Sequence, residues 1–264
     1  MSSLLGRLNR NEQRGSKPRC HLLTHGSPDA VAARLTALVA PFASVAPSDR
    51  WMPQGFENTA EAMLPEAAPL LPSNVRRELK LWWLAASSPT TRTPNWDIAS
   101  TCTIEGKAGI MLIEAKAHDQ ELLKEEAGKR PPAPTASEDS RRNHLRIGEA
   151  IRDTSIALAE DTGLPCSLSR DSHYQMCNRF AWAWKVADLG IPAVLVYLGF
   201  LGANEMSDQG TPLVDAADWQ SLVKRHSQQL LPVTVWDQRW ICRGQPLVPL
   251  IRAAQVPLQD EALA

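Results

Sequence analysis

The stretch Ala108–His118, AGIMLIEAKAH, changes character halfway along. Ile110, Met111, Leu112 and Ile113 form an unbroken apolar run, the pattern of a strand covered on both faces. Glu114 and Lys116 then follow two residues apart, a step that returns a strand side chain to the same face. The sequence therefore sets a carboxylate beside an ammonium inside a core sheet. A buried unpaired carboxylate is costly, and attraction within a buried ion pair seldom repays the desolvation of both partners. Something else should join them.

The preceding run, NWDIASTCTI over 95–104, supplies a candidate. It reads as a strand, separated from the first by Glu105, Gly106 and Lys107. With Gly106 as the first central residue, a type II′ turn pairs Glu105 with Ala108. In that register Asp97 lies opposite Lys116 and diagonal to Glu114, on the same face. Two carboxylates beside a lysine form a hard-cation site whose oxygen ligands suit Mg²⁺. The E-x-K tripeptide carries little weight alone, because it occurs three times. Glu78 and Lys80 sit on a predicted helix, where a two-residue step turns side chains about 200° apart. Glu105 and Lys107 sit at the hairpin tip. Only Glu114 and Lys116 lie in an apolar strand.

Outward from this hairpin the chain alternates helix and strand. SPDAVAARLTALVA starts a helix with Ser27 as N-cap and Pro28 at its first position. SNVRRELKLWWLAASS starts another at Ser73 or Asn74, showing Leu79, Trp82 and Trp83 to the core. After the hairpin come a short helix (DQELLKEEAG), a proline-rich loop, and an amphipathic helix from His144 to Gly163. A further helix ends at Gly190 with Pro192 beyond it. AVLVYLGFL is a strand covered on both sides, reached by a crossover into the same sheet. A helix capped by Asp215 precedes a short VTVW strand and an irregular tail. This reads as an α/β fold. Residues 1–19 read as a basic flexible tail, 20–72 as a helix and loop extension packed on the body, and 73–264 as the core domain, with an insertion over 119–171.

Composition narrows the rest. A net charge of −1 gives no global sign of a polyanion partner, so any such partner must meet a local patch. The polar, basic start lacks the apolar core of a secretory signal, and IPAVLVYLGFLGA is too short and too broken to span a bilayer. The five cysteines, with no C-x-x-C pair, imply reduced thiols in a cytosol and no zinc site. The expected location is cytoplasmic, with no membrane partner.

Asp97, seventeen residues before Glu114-Ala115-Lys116, resembles the signature of the PD-(D/E)XK nuclease superfamily, whose fold is restriction-endonuclease-like. The chain as a whole is also similar to a bacterial branch of such proteins. The family core runs helix, antiparallel hairpin strands, helix, strand, an order this sequence offers from Ser73 to Leu201. The resemblance implies a metal-dependent nuclease hydrolysing phosphodiester bonds in DNA, with RNA also compatible and a homodimer a compatible assembly. Asp97 and Glu114 would hold Mg²⁺, for which Mn²⁺ could substitute, and Lys116 would orient the attacking water or stabilise the phosphate. Some members add a glutamate from the first helix, here Glu78. Several carry Gln and Tyr one turn apart on the second core helix. Gln175 matches the first, whereas Arg179 stands where the tyrosine would be. Trp96 stands where many members have proline.

Gln175, Asn178 and Arg179 share a helix face and could grip a phosphate. Arg141, Arg142, His144 and Arg146 crowd a helix start, where cations oppose the dipole, which suggests phosphate contact. Blander readings stand beside these: a solvent-facing Glu78, ordinary polar helix residues, and a solvated basic turn. Two rival functions also stand. One is an inactive nuclease-fold protein acting as a nucleic-acid-binding or assembly subunit; the other is a protein whose triad is only a structural ion cluster.

Overall fold

The computed structural model describes residues 4–87 and 91–258. Helices α1 (Ser16–Leu23) and α2 (Pro28–Val39) open the chain, followed by the short strands β1 (Ala43–Ser44), β2 (Trp51–Met52) and β3 (Ala62–Met63). Helix α3 (Ser73–Trp83) leads into β4 (Asn95–Trp96), β5 (Ile98–Ile104) and β6 (Lys107–Lys116). Then come α4 (Asp119–Leu123), α5 (Glu138–Thr162), α6 (Tyr174–Asp188), β7 (Ala193–Phe200), α7 (Ala216–Ser227), β8 (Trp240–Cys242) and β9 (Gln245–Ala254).

The main sheet has the order β1-β5-β6-β7-β9-β8, with β2 also paired to β5. Strands β6, β7 and β9 are mutually parallel, and β5 and β8 run antiparallel to their neighbours. This is an α/β fold built on a mixed sheet. Every residue of β7 is buried, as its continuous apolar sequence requires. Alternation along the strands divides the core in two. Ile110, Leu112, Leu195 and Tyr197 face α3, α5, α6 and α7, while Met111, Ile113, Val194 and Val196 face α1 and α2. On the first side Trp83 and Trp182 meet edge to face, with ring centroids 5.4 Å apart. Helix α3, the β5–β6 hairpin, α6 and β7 appear in the expected order.

The hairpin turn differs from expectation. Ile104 pairs with Lys107, so the two central residues are Glu105 and Gly106. Both have positive φ, 49° and 75°, which makes the turn type I′. The register therefore moves by two residues. An even shift preserves the face of every side chain. Ile98 pairs with Ile113, and continuing that register sets Asp97 across from Glu114 instead of Lys116.

Three other expectations need correction. A flexible tail does not describe residues 4–19. Arg19 is buried and donates to Glu205 (2.5 Å) and to the Val256 carbonyl (3.0 Å), while Arg14 reaches Asp208 (2.8 Å). Those acids lie far along the chain, so local charge counting missed them; residues 1–3 lie outside the described residues. Helix α5 begins earlier than expected, because Ser137 accepts from the Ser140 N–H and caps it. The VTVW segment holds a 3₁₀ turn (Val233–Val235), and the tail expected to be irregular contains β8 and β9. Strand β9 carries two prolines, Pro246 and Pro249. Pro249 lies two residues past the last β8 pair, Trp240 with Leu247, where its carbonyl accepts from the Asp237 N–H (2.8 Å).

Gly199 shows how closely α7 packs. A Cβ at this position would lie 2.6 Å from the Trp219 ring, which is fully buried and donates to the Tyr197 carbonyl (3.2 Å). Gly199→Ala is expected to destabilise the fold by about 1–3 kcal/mol through overpacking. Urea denaturation measures this; an unchanged midpoint would mean that Trp219 is not pinned against β7.

Candidate active site

Glu114 is 2% exposed and lies on the sheet face covered by α3 and α6. Three donors meet its carboxylate. Lys116 Nζ lies 2.5 Å from Oε1, Gln175 Nε2 also donates to Oε1, and Arg179 Nε lies 2.6 Å from Oε2. Gln175 and Arg179 are one turn apart on α6, so a single helix face delivers both. Arg179 is itself held, with its guanidinium 4.6 Å from the Trp96 ring centroid and Nη1 donating to Asn178 (3.1 Å). Burial opposes ionisation of Glu114, but Arg179 and Lys116 outweigh it and keep the carboxyl below its usual range. The third partner that a buried Glu–Lys pair requires is thus an arginine from the crossover helix.

Asp97 occupies the corner where the chain leaves the small β3–β4 sheet and enters β5. Strand β5 ends its pairing at Ile98, and beyond that point the Ala115 N–H has no strand partner on this side. Asp97 Oδ2 accepts it at 2.7 Å. Burial, reinforced by the neighbouring charge of Glu114, raises the Asp97 carboxyl to about 8. Asp97, Glu114, Lys116 and Gln175 are therefore neighbours in space.

Glu78 is not among them. The apolar positions of α3, Val75, Leu79 and Trp83, face the core, and Glu78 points to solvent with Arg77 3.5 Å away. The arginines expected to meet nucleic acid each have a partner within the protein. Arg179 is committed to Glu114. Arg141 donates to the Pro134 carbonyl (2.6 Å), Arg142 lies 3.8 Å from Asp139, and Arg146 donates to the Trp82 carbonyl (3.1 Å).

A different basic surface adjoins Gln175 and Arg179. Two adjoining cavities, of about 270 and 460 Å³, share Arg92, Lys129 and Ile147 as walls. The inner one is lined by Tyr174, Gln175, Asn178 and Arg179, and the outer one adds Arg130 and His144, with Asp139 its one acidic wall among the described residues. Lys129 lies 4.8 Å from the Tyr174 ring centroid, and burial, then Arg170, lower its pKa. Lys129 and Arg130 stand together at the start of a proline-rich loop, a dibasic signal open to reading but overshadowed by the three arginines on α5.

A second cluster has no precursor in the sequence reading. Glu126, His173 and His226, from the insertion, the start of α6 and the end of α7, converge within 4.8 Å. Burial, then His173 and Lys116, hold His226 down at about 4, so it is neutral near pH 7. All five cysteines are free and take no part in it. No helix among the described residues is long and apolar enough to cross a membrane.

Comparison of the chain with protein-family models, with curated proteins and with solved structures gave no match.

The raised Asp97 carboxyl has a consequence for stability. Its ordinary value is 3.8 and its value in the fold about 8, so the folded state binds this proton more tightly than the unfolded chain does. The resulting stabilisation is fully present below about pH 4 and is lost as pH rises through 8. In metal-free buffer, Asp97→Asn should flatten that slope and stabilise the protein at pH 8 by about 1–3 kcal/mol, the scale of a poorly compensated buried polar group. Denaturation midpoints between pH 4 and 8 test this. Parallel profiles for both proteins would rule it out.

Proposed function

We propose that the protein is a metal-dependent nuclease that hydrolyses phosphodiester bonds in DNA, on a restriction-endonuclease-like core. The observation that carries this reading is the meeting of Lys116 and Gln175 on Glu114, with Asp97 bonded to the next backbone N–H and a cleft walled by Arg92, Lys129 and Arg130 reaching Gln175 and, through it, the edge of the group. Sequence resemblance pairs an aspartate with E-x-K; the contact of Gln175 with Glu114 adds a member from another element.

The donor set fits Mg²⁺ or Mn²⁺. Asp97 and Glu114 are oxygen ligands, and burial, then the charge of Glu114, makes Asp97 reluctant to ionise, a cost that a bound cation would offset. Asp97 and Glu114 would hold the ion, which supplies Lewis acidity toward a phosphate and a bound water. The other roles belong to the chain. Gln175 and Arg179 fix the orientation of the Glu114 carboxylate. Lys116, bonded to the same carboxylate, is placed to orient water or to stabilise charge developing on the phosphate. Arg92, Lys129 and Arg130 would neutralise neighbouring phosphates.

One observation favours a second reading, a nucleic-acid-binding protein whose acidic cluster is structural. Both oxygens of Glu114 already accept bonds from cations. The same experiment separates the two. Purified protein is given Mg²⁺ or Mn²⁺ with linear, single-stranded and supercoiled DNA. Asp97→Asn and Glu114→Gln should each reduce cleavage by about 10²-fold or more and weaken divalent binding, whereas Lys116→Ala should lose cleavage and retain the metal. DNA binding without cleavage by the wild-type protein would establish the second reading instead.

The cleft generates its own expectation. Replacing Arg92, Lys129 and Arg130 together with Ala should reduce the salt dependence of DNA binding by about 2–3 in log–log slope, more than replacing Arg141, Arg142 and Arg146. An equal or reversed effect would move the nucleic-acid surface back to α5.

A further inference from the structure

Where the insertion meets the end of α7, three side chains converge that the proposed nuclease chemistry does not use. Glu126, His173 and His226 each offer one ligand atom, all within 4.8 Å of one another. His173 is 7% exposed and His226 4%. Nδ1 of His173 and both ring nitrogens of His226 have no hydrogen-bond partner. Buried polar atoms are rarely left so, because each costs about 1–3 kcal/mol. The rings tilt at 60° with centroids 4.7 Å apart, which satisfies none of these nitrogens.

The backbone is arranged to hold the group together. His173 has φ 47° and ψ 41°, a left-handed conformation uncommon for a residue with a Cβ. Its N–H donates to the Glu126 carbonyl (3.0 Å), Tyr174 N–H donates to Ala127 (3.3 Å), and Lys129 N–H to Arg170 (2.8 Å). Gly128 lets the two segments touch, since a Cβ there would lie 2.4 Å from the Asp171 carbonyl oxygen. This short ribbon fixes the acid beside the strained histidine, and α7 brings in the second imidazole.

We propose that Glu126, His173 and His226 bind one divalent transition-metal ion, with Zn²⁺ as the best-matched member of the class. Two imidazoles and one carboxylate suit Zn²⁺ and its neighbours, whereas Mg²⁺ and Ca²⁺ favour all-oxygen sets. Tetrahedral ligands about 2.0–2.1 Å from zinc stand about 3.4 Å apart, so the site closes by roughly an ångström on loading. Glu126, exposed, can make that movement. Three protein ligands leave one position for water or an anion. The ion would join the insertion, α6 and α7, and lock the start of α6 two residues before Gln175.

The test uses the full chain stripped by a chelator and titrated by calorimetry with Zn²⁺ and, separately, Mg²⁺. One equivalent of Zn²⁺ should bind, and at 100-fold excess over Kd the Tm should rise by about 5 °C or more. His226→Ala and Glu126→Gln should each weaken Zn²⁺ by about 100-fold or more. Glu126 is exposed, so its conservative substitution tests the site even if His226→Ala does not fold. Asp97→Asn, which removes a proposed Mg²⁺ ligand that makes no bond to α6, should bind Zn²⁺ as the wild type does, which keeps this result independent of the nuclease reading. Absence of stoichiometric Zn²⁺ binding would overturn the proposal. So would unchanged affinity in Glu126→Gln, or loss of binding in Asp97→Asn alone.

Discussion

The structure is organised around one electrostatic demand, the burial of the Glu114 carboxylate in the central sheet. A lone carboxylate there would be untenable, and Lys116 alone would still leave lone pairs without donors. Arg179 and Gln175 complete the shell, and this fixes where α6 must sit. Trp96 covers the Arg179 guanidinium, which ties β4 to the same point. Asp97 then terminates the β5–β6 ladder by taking the Ala115 N–H in place of a strand carbonyl. Elements from three parts of the chain are positioned by one side chain, and the proposed chemistry uses the same atoms.

The hairpin was readable because its information is local and periodic. Alternation assigned the faces of the β5 and β6 side chains, Glu114 among them, and this survived a turn assigned two residues out, since only odd slips exchange faces; Asp97 itself lies in the bend just before the first pair. The turn itself was misread because Glu105, a poor residue for positive φ, takes the first central position of a type I′ turn. Here its carboxylate also pairs with Arg239 at the other end of the chain. No short-range rule includes that partner.

Charged residues were legible as types but not as pairs. Arg19 looked like tail and is core, because Glu205 waits for it. Arg179, read as a phosphate ligand, pairs with Glu114, a partner 65 residues away. The arginines of α5 drew attention by crowding, yet each finds a partner, Arg141 in the preceding loop, Arg142 on its own helix and Arg146 on α3. The Glu126–His173–His226 group lay hidden for a related reason. Its members are dispersed over a hundred residues, without the regular spacing that marks a metal motif on one helix.

The separation between Glu114 and its arginine, 65 residues, bears on how the chain reaches its native state. The β5–β6 hairpin needs only a two-residue turn, so it closes early and can do so with Glu114 still hydrated. Parallel pairing of β6 with β7 must wait for a long crossover that includes α5, and closing such a loop is entropically slow. Dehydration of the carboxylate and arrival of α6 are therefore one event. A chain that collapses with α6 misplaced must either expose the sheet face or strand a charge beneath it. The acid that would serve catalysis thereby proofreads the fold, by making the nearest wrong packings expensive.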